Sequence, residues 1–147
     1  MNKIKVETII HAYLKKVWEY YTSPESIKGW AFASDDWESP YAENDLRVGG
    51  RFLTRMKAKD GSKDSGAAFD FTGTYTDVVE FEKINYTMDK APNEENGRTC
   101  EVIFKDMRDG TTYVSVEFDP ESENSEELQR AGWQAILDNF KKYVESN

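Results

Sequence analysis

SEELQRAGWQAILDNFKKYV, residues 125–144, is the stretch that decides the fold. Trp133, Ile136, Leu137, Phe140 and Val144 recur at i, i+3, i+4, i+7 and i+11, the spacing of one buried stripe on a long amphipathic helix. Asn124 is placed to cap it, with Glu127 three residues on as a capping-box partner. Gly132 lies inside this helix, where glycine costs about 1 kcal/mol relative to alanine, so it is expected to serve close packing or, less directly, space for a ligand.

Upstream the period changes from helical to alternating. Phe69, Phe71, Gly73 and Tyr75 alternate with Asp70, Thr72, Thr74 and Thr76, the clearest strand in the chain. Phe52, Thr54 and Met56 share one face of a strand predicted to begin near Leu46 and to be interrupted at Gly49-Gly50 by a bulge or close backbone approach. Lys59-Asp60-Gly61-Ser62 carries a hairpin signal. Ile84, Tyr86 and Met88, then Cys100, Val102 and Phe104, then Thr112, Val114, Val116 and Phe118 give three further strands, with a turn-rich loop at 91–97 and a turn at Asp109-Gly110. Ile4 to Ile10 reads as a half-buried first strand. Leu14, Val17, Trp18 and Tyr21 follow helical spacing, and Ser23-Pro24 opens a second short helix anchored by Ile27 and Trp30. Residues 31–44 read as an aromatic-rich loop. A sheet and a long helix must each bury an apolar side, so the expected fold is α+β: a curved antiparallel sheet wrapped around the C-terminal helix, with two short helices after the first strand.

Composition bounds the rest. The 147 residues fit a single domain over residues 1–147, long enough to fold without disulfide or metal. The single cysteine cannot form an internal bridge, and no zinc-type spacing exists. Asp and Glu number 28 against 19 Lys and Arg, a net charge of −9, which repels nucleic acid and anionic membranes. The N-terminus has no secretion-signal core, and no apolar run reaches the ~20 residues of a membrane span. A cytoplasmic protein with no nucleic-acid partner and no membrane insertion is expected.

Several strings in this order resemble the helix-grip superfamily of START-like (SRPBCC) proteins, which includes lipid-transfer domains, birch-pollen-allergen-like proteins and polyketide cyclases. They are Val17-Trp18-Glu19, Ser23-Pro24-Glu25-Ser26-Ile27 leading to Trp30, and Asp45-Leu46-Arg47-Val48-Gly49-Gly50-Arg51-Phe52. Asp60-Gly61-Ser62, Phe69-Asp70-Phe71-Thr72-Gly73-Thr74-Tyr75 and Gln129-Arg130-Ala131-Gly132-Trp133 through Phe140 complete the set. Within the superfamily the chain is most similar to the bacterial branch named after the C-terminal domain of the heat-shock-protein-90 ATPase activator. The chain departs from that pattern at Ala12-Tyr13, where the family often carries proline, which would place Tyr13 at one end of a cavity. The resemblance implies a helix-grip fold with a hydrophobic cavity between sheet and helix.

Candidate ligand-binding residues follow from the inward strand faces and the helix stripe: Met56, Phe71, Tyr75, Tyr86, Met88, Cys100 and Phe118 from the strands, Trp133 and Leu137 from the helix, and Trp30 and Trp37 near the mouth. Aromatic rings and methionines supply apolar contact, while Tyr75 and Tyr86 add hydroxyl donors. Apolar stripes of this kind ordinarily pack the core, which is the plainer expectation for any one of these residues. Cys100, among apolar neighbours, is expected to be inert, and His11 lacks an orienting partner for acid–base work. Arg51, Arg55, Asp70 and Glu101 are expected to face solvent and pair across strands. The acidic run 119–127 lacks the glycine and final glutamate of a calcium loop.

No cofactor, metal or catalytic constellation is legible. The leading expectation is therefore a binder of a small hydrophobic molecule, such as a lipid, polyketide or aromatic metabolite, rather than an enzyme. The alternatives are a chaperone-associated interaction module, with residues 30–41 as its surface, and a cyclase or hydrolase acting on a cavity-bound ligand. An edge strand offers a route to a homodimer.

Overall fold

The computed structural model describes residues 2–90 and 96–147, so most of the loop expected at 91–97 lies outside the described residues. Chain order is β1 (Ile4–Ile10), α1 (Leu14–Thr22), α2 (Pro24–Trp30), β2 (Trp37–Asn44), β3 (Arg51–Ala58), β4 (Ala68–Val79), β5 (Lys83–Met88), β6 (Thr99–Asp106), β7 (Thr112–Phe118) and α3 (Glu126–Ser146). The seven strands form one curled antiparallel sheet in the order β1-β7-β6-β5-β4-β3-β2. Strands consecutive from β2 to β7 are therefore neighbours, and β1 returns to pair with β7 from Ile4↔Phe118 to Ile10↔Thr112.

The long helix forms where its stripe predicts. Leu137, Phe140 and Val144 are buried, while Trp133 and Ile136 are partly covered. Its N-cap is Ser125 rather than Asn124: the Ser125 hydroxyl accepts from the Leu128 N–H at 3.1 Å, and Asn124 is held outside the helix by the Glu121 carboxylate. Serine and asparagine cap equally well, so the local pattern alone does not separate two adjacent candidates. In α2, Ser23 is the N-cap and Pro24 the first helical residue, where the missing N–H has no cost.

Two boundaries differ from expectation. Residues 37–44 form the edge strand β2 instead of a loop, with a register shift between Glu38 and Tyr41 around Pro40. An edge strand tolerates proline because the lost N–H faces away from the ladder, so Ser39-Pro40 does not break pairing. Residues 46–50 form a turn, and β3 begins only at Arg51. Gly50 makes the close backbone approach expected of it: a Cβ there would lie 1.9 Å from the Asp45 carbonyl oxygen.

The helices close over the sheet through rings. Trp30 meets Phe140 at 4.8 Å and Tyr21 at 5.0 Å between centroids, and Trp18 meets Phe104 at 5.0 Å. The Trp30 indole N–H donates to the Tyr20 carbonyl at 2.9 Å, and Asn139 Nδ2 donates to the Trp30 carbonyl at 2.9 Å. Each buried side chain of this size contributes about 1.5–3 kcal/mol, and these contacts fix α1, α2 and α3 together over one part of the sheet. The sheet's outer face carries polar ladders. Arg55 faces Asp70 across β3 and β4 with contacts of 2.8 and 3.1 Å, and Arg51 grips Asp89 at 2.8 and 2.6 Å. Asn85 meets Glu101 at 3.2 Å.

Candidate functional site, a cavity between the sheet and the C-terminal helix

Between the β2–β5 part of the sheet and α3 lies a cavity of about 330 Å³. Strand alternation supplies its floor: Phe52, Thr54 and Met56 from β3, Phe69, Phe71 and Tyr75 from β4, and Ile84 and Tyr86 from β5. Val116 of β7 and Arg98, just before β6, complete that side. Trp133, Ile136 and Leu137 on α3 form the facing wall, and Tyr21, Thr22, Ile27, Trp30 and Ala31 close the end under α1 and α2. Glu43 and Asn44 of β2 form the remaining edge. Phe69 is 51% exposed and Met56, Trp133 and Ile136 are partly exposed, so these residues mark the rim.

The expected ligand-binding residues divide between cavity and core. Trp30, Met56, Phe71, Tyr75, Tyr86, Trp133 and Leu137 line the space. Met88, Cys100 and Phe118 share the inward face but are buried at 3%, 2% and 0% exposure and do not line it. Phe118 instead backs the wall, its ring stacked on Trp133. Trp37 lies outside the lining, half-buried against Phe69 at 5.9 Å. Tyr13 is 75% exposed at the start of α1 and is not part of the lining.

The walls are held by ring-to-ring contact. Phe52 touches Phe71 at 5.4 Å, Tyr75 at 5.3 Å and Tyr86 at 4.9 Å, and Phe71 meets the edge of Trp133 at 6.1 Å. Such edge-to-face and tilted arrangements suit the aromatic quadrupole and hold each ring in place.

Polar groups gather at the closed end. The Tyr75 hydroxyl donates to Asn44 Oδ1, whose Nδ2 in turn donates to the Thr22 carbonyl at 2.7 Å. Sequence reasoning missed Asn44 because it assigned residues 31–44 to a loop. It missed Tyr21 because helical spacing marked that residue as core. Burial raises the phenol of Tyr75 above its ordinary value, partly offset by the bond to Asn44. Burial likewise raises those of Tyr21 and Tyr86. All three stay protonated at neutral pH, so each keeps an O–H that can donate, and that of Tyr75 does so to Asn44. Cys100 lies beside Tyr86, and burial pushes its thiol up to about 12, so it is not a nucleophile at neutral pH.

His11 stands apart from the cavity. Its backbone N–H donates to the Glu145 carboxylate at 2.8 Å, its ring Nδ1 lies 3.0 Å from the same group, and Lys141 joins at 2.7 Å. This cluster fastens the last turn of α3 to the end of β1. Among the described residues, no three His, Cys, Asp or Glu side chains come together as a metal-ligating group, and no helix is long and apolar enough to cross a membrane.

The comparisons agree with this architecture. No curated protein matches the chain. Among solved structures, an AHSA1-like protein from Aeromonas hydrophila is 41% identical, with 98% of this chain and 92% of that one covered and a TM-score of 0.85. A protein from Cytophaga hutchinsonii is 43% identical over 100% of this chain and 94% of that one, with a TM-score of 0.77. A Chromobacterium violaceum protein shares the fold at 22% identity, with both chains fully covered and a TM-score of 0.81. The family model for Activator of Hsp90 ATPase homolog 1-like protein matches residues 11–145, which takes in every element from α1 to β7 and all but the last residue of α3, with β1 outside it. With its curled sheet, gripped helix and matching residues, the chain belongs to the Activator of Hsp90 ATPase homolog 1-like protein family.

Proposed function

We propose that this protein binds a small hydrophobic molecule in the cavity between the sheet and α3. The observation that carries the reading is the space of about 330 Å³, open at its rim and walled by Trp30, Phe52, Phe71 and Trp133, with the Asn44–Tyr75 pair among its polar groups. That volume is at the lower end of ligand pockets, about 300–1,000 Å³, and the combination of apolar walls with a few fixed polar groups is the usual composition of a binding site. A small aromatic metabolite suits it better than a long-chain lipid, because the walls are rings and the volume is small.

The phenols that line the site are held neutral by burial, so they orient a ligand through hydrogen bonds rather than remove its protons. The reading is therefore of a binder or carrier. Native mass spectrometry of purified protein, followed by organic extraction, tests it. A stoichiometric apolar molecule released on extraction is the expected result. An empty protein that also gains no thermal stability from a library of small aromatic compounds overturns the reading.

A further inference from the structure

We infer that the cavity's ligand is an aromatic molecule bearing one carboxylate, and that the Arg98 guanidinium is the group that meets it. The inference rests on the binding reading above and adds a charged end to the hydrophobic molecule of that reading.

Arg98 lines the cavity, and position 98 continues the inward-facing alternation of Cys100, Val102 and Phe104. Two bonds fix where it stands. The Met88 N–H donates to the Arg98 carbonyl at 2.7 Å, and Arg98 Nη1 donates to the Asp119 carbonyl at 3.2 Å. Asp119 follows Phe118, whose ring stacks on Trp133, so the guanidinium is held on the side of the cavity where Trp133 marks the rim. Tyr21 and Trp30 lie instead toward Phe104, six positions further along the chain. The cavity therefore has a cationic side and an aromatic side, a layout that suits a ring with a charged head.

Among the described residues that line the cavity, Arg98 is the one cation and Glu43 the one anion. The Glu43 carboxylate is turned away. It accepts from the Tyr41 hydroxyl at 2.5 Å, and the Tyr41 ring is covered by Arg55, which pairs with Asp70 on the outer face of the sheet. A carbonyl is neutral, so the bond to Asp119 orients the guanidinium and leaves its charge in place. An anion entering an apolar site loses its hydration, a large cost unless a cation meets it there. Arg98 is half-buried with its Nε fully covered, and attraction to a carboxylate is stronger there than in open water. The planar fork of a guanidinium matches a carboxylate, and such charge-assisted bonds are roughly twice as strong as neutral ones. One guanidinium carries one unit of charge, which suits a carboxylate better than a doubly ionised phosphate.

Benzoate, acetophenone and benzylammonium share a ring and differ in charge. NMR-detected titration at about 0.15 M salt, read at the Trp30 and Trp133 indole signals, gives their affinities. The net charge of −9 works against an anion, so a preference for benzoate has to come from a local cation. Wild type is expected to bind benzoate about tenfold more tightly than acetophenone, the size of one charge-assisted bond, with benzylammonium weakest. Arg98→Met removes the charge and is expected to bring benzoate to or below the affinity of acetophenone. Acetophenone binding as tightly as benzoate in wild type, benzylammonium binding best, or a benzoate preference that survives Arg98→Met each overturns the inference while leaving a binding cavity intact. Binding of none of the three overturns the proposed function itself. Should Arg98→Met fail to fold, the 13C carboxyl resonance of bound benzoate, followed against pH in wild type, decides. Protonation at a lower pH than in free benzoate supports the contact, and protonation at the same or a higher pH overturns it.

Discussion

Phe118 and Trp133 stack with their ring centroids 3.9 Å apart and their planes 14° from parallel. Phe118 is the last residue of β7 and fully buried; Trp133 is in the third turn of α3 and lines the cavity. This one contact joins the end of the sheet to the helix that grips it and sets the position of the cavity's wall. Trp133→Ala is expected to destabilise the fold by roughly 3 kcal/mol, the low end of the range for large aromatic truncations because Trp133 is only partly buried. Urea denaturation measures it. A loss well under 1 kcal/mol would mean the stack does not hold the helix.

Gly132 separates two explanations for a glycine in a helix. The close packing expected of it is absent: a Cβ at this position meets nothing within 4 Å. Gly132→Ala is therefore expected to stabilise the protein by about 0.5–1 kcal/mol through helix propensity alone. Gly73 behaves oppositely, since a Cβ there would lie 2.5 Å from the Thr87 carbonyl oxygen and 2.7 Å from the Phe52 ring. Gly73→Ala is expected to lower the melting temperature and Gly132→Ala to raise it.

Asn44 bridges three elements, accepting from Tyr75 on β4 and donating to the last residue of α1. Removing it leaves two buried polar groups unpaired. Asn44→Ala is expected to cost about 1–3 kcal/mol, and Asn44→Asp to be worse than neutral because Asp cannot donate to the Thr22 carbonyl. Denaturant titration of both variants checks the order.

How much was legible in the sequence follows from where the signals were local. Trp133, Leu137, Phe140 and Val144 repeat at helical spacing and define the grip without tertiary information. Tyr75 and Tyr86 alternate on strands and fall opposite each other in the register. Alternation gives the face of a strand but not the depth along the sheet, so it could not separate Met56 and Phe71, at the cavity, from Met88 and Cys100, in the solid core. Asn44 was hidden, and Trp37 wrongly expected at the cavity mouth, because Pro40 and the register shift obscure the period of β2, whose pairing depends on β3 rather than on its own residues.

Stability is expected to fall at both ends of the pH scale. Hydrogen bonds from Arg51 and Thr72 hold Asp89 at about 2. Burial alone would raise Asp119 and Glu145, yet bonds from Lys3 and Thr99 to the first, and from His11 and Lys141 to the second, bring both to about 2. Each carboxyl lies below its ordinary value of 3.8 or 4.5, so its stabilisation is full above that value and lost as pH falls toward 2. Cys100 is opposite in sense. Its thiol is raised from 9.0 to about 12, so its contribution is present below pH 9 and lost as pH rises toward 12, together with that of the buried phenols. Urea midpoints measured across pH should show both limbs, and Glu145→Gln should flatten the acid limb. An unchanged acid slope in that variant would remove Glu145 from the account.

The most direct test of the binding account is an NMR titration of 15N-labelled protein with acetophenone, following the four indole N–H signals. Trp30 and Trp133 line the cavity, whereas Trp18 packs against Phe81 and Phe104 and Trp37 lies outside. The account predicts saturable shifts at Trp30 and Trp133 with Trp18 and Trp37 little changed. Shifts confined to Trp37, or none at any indole, would contradict it.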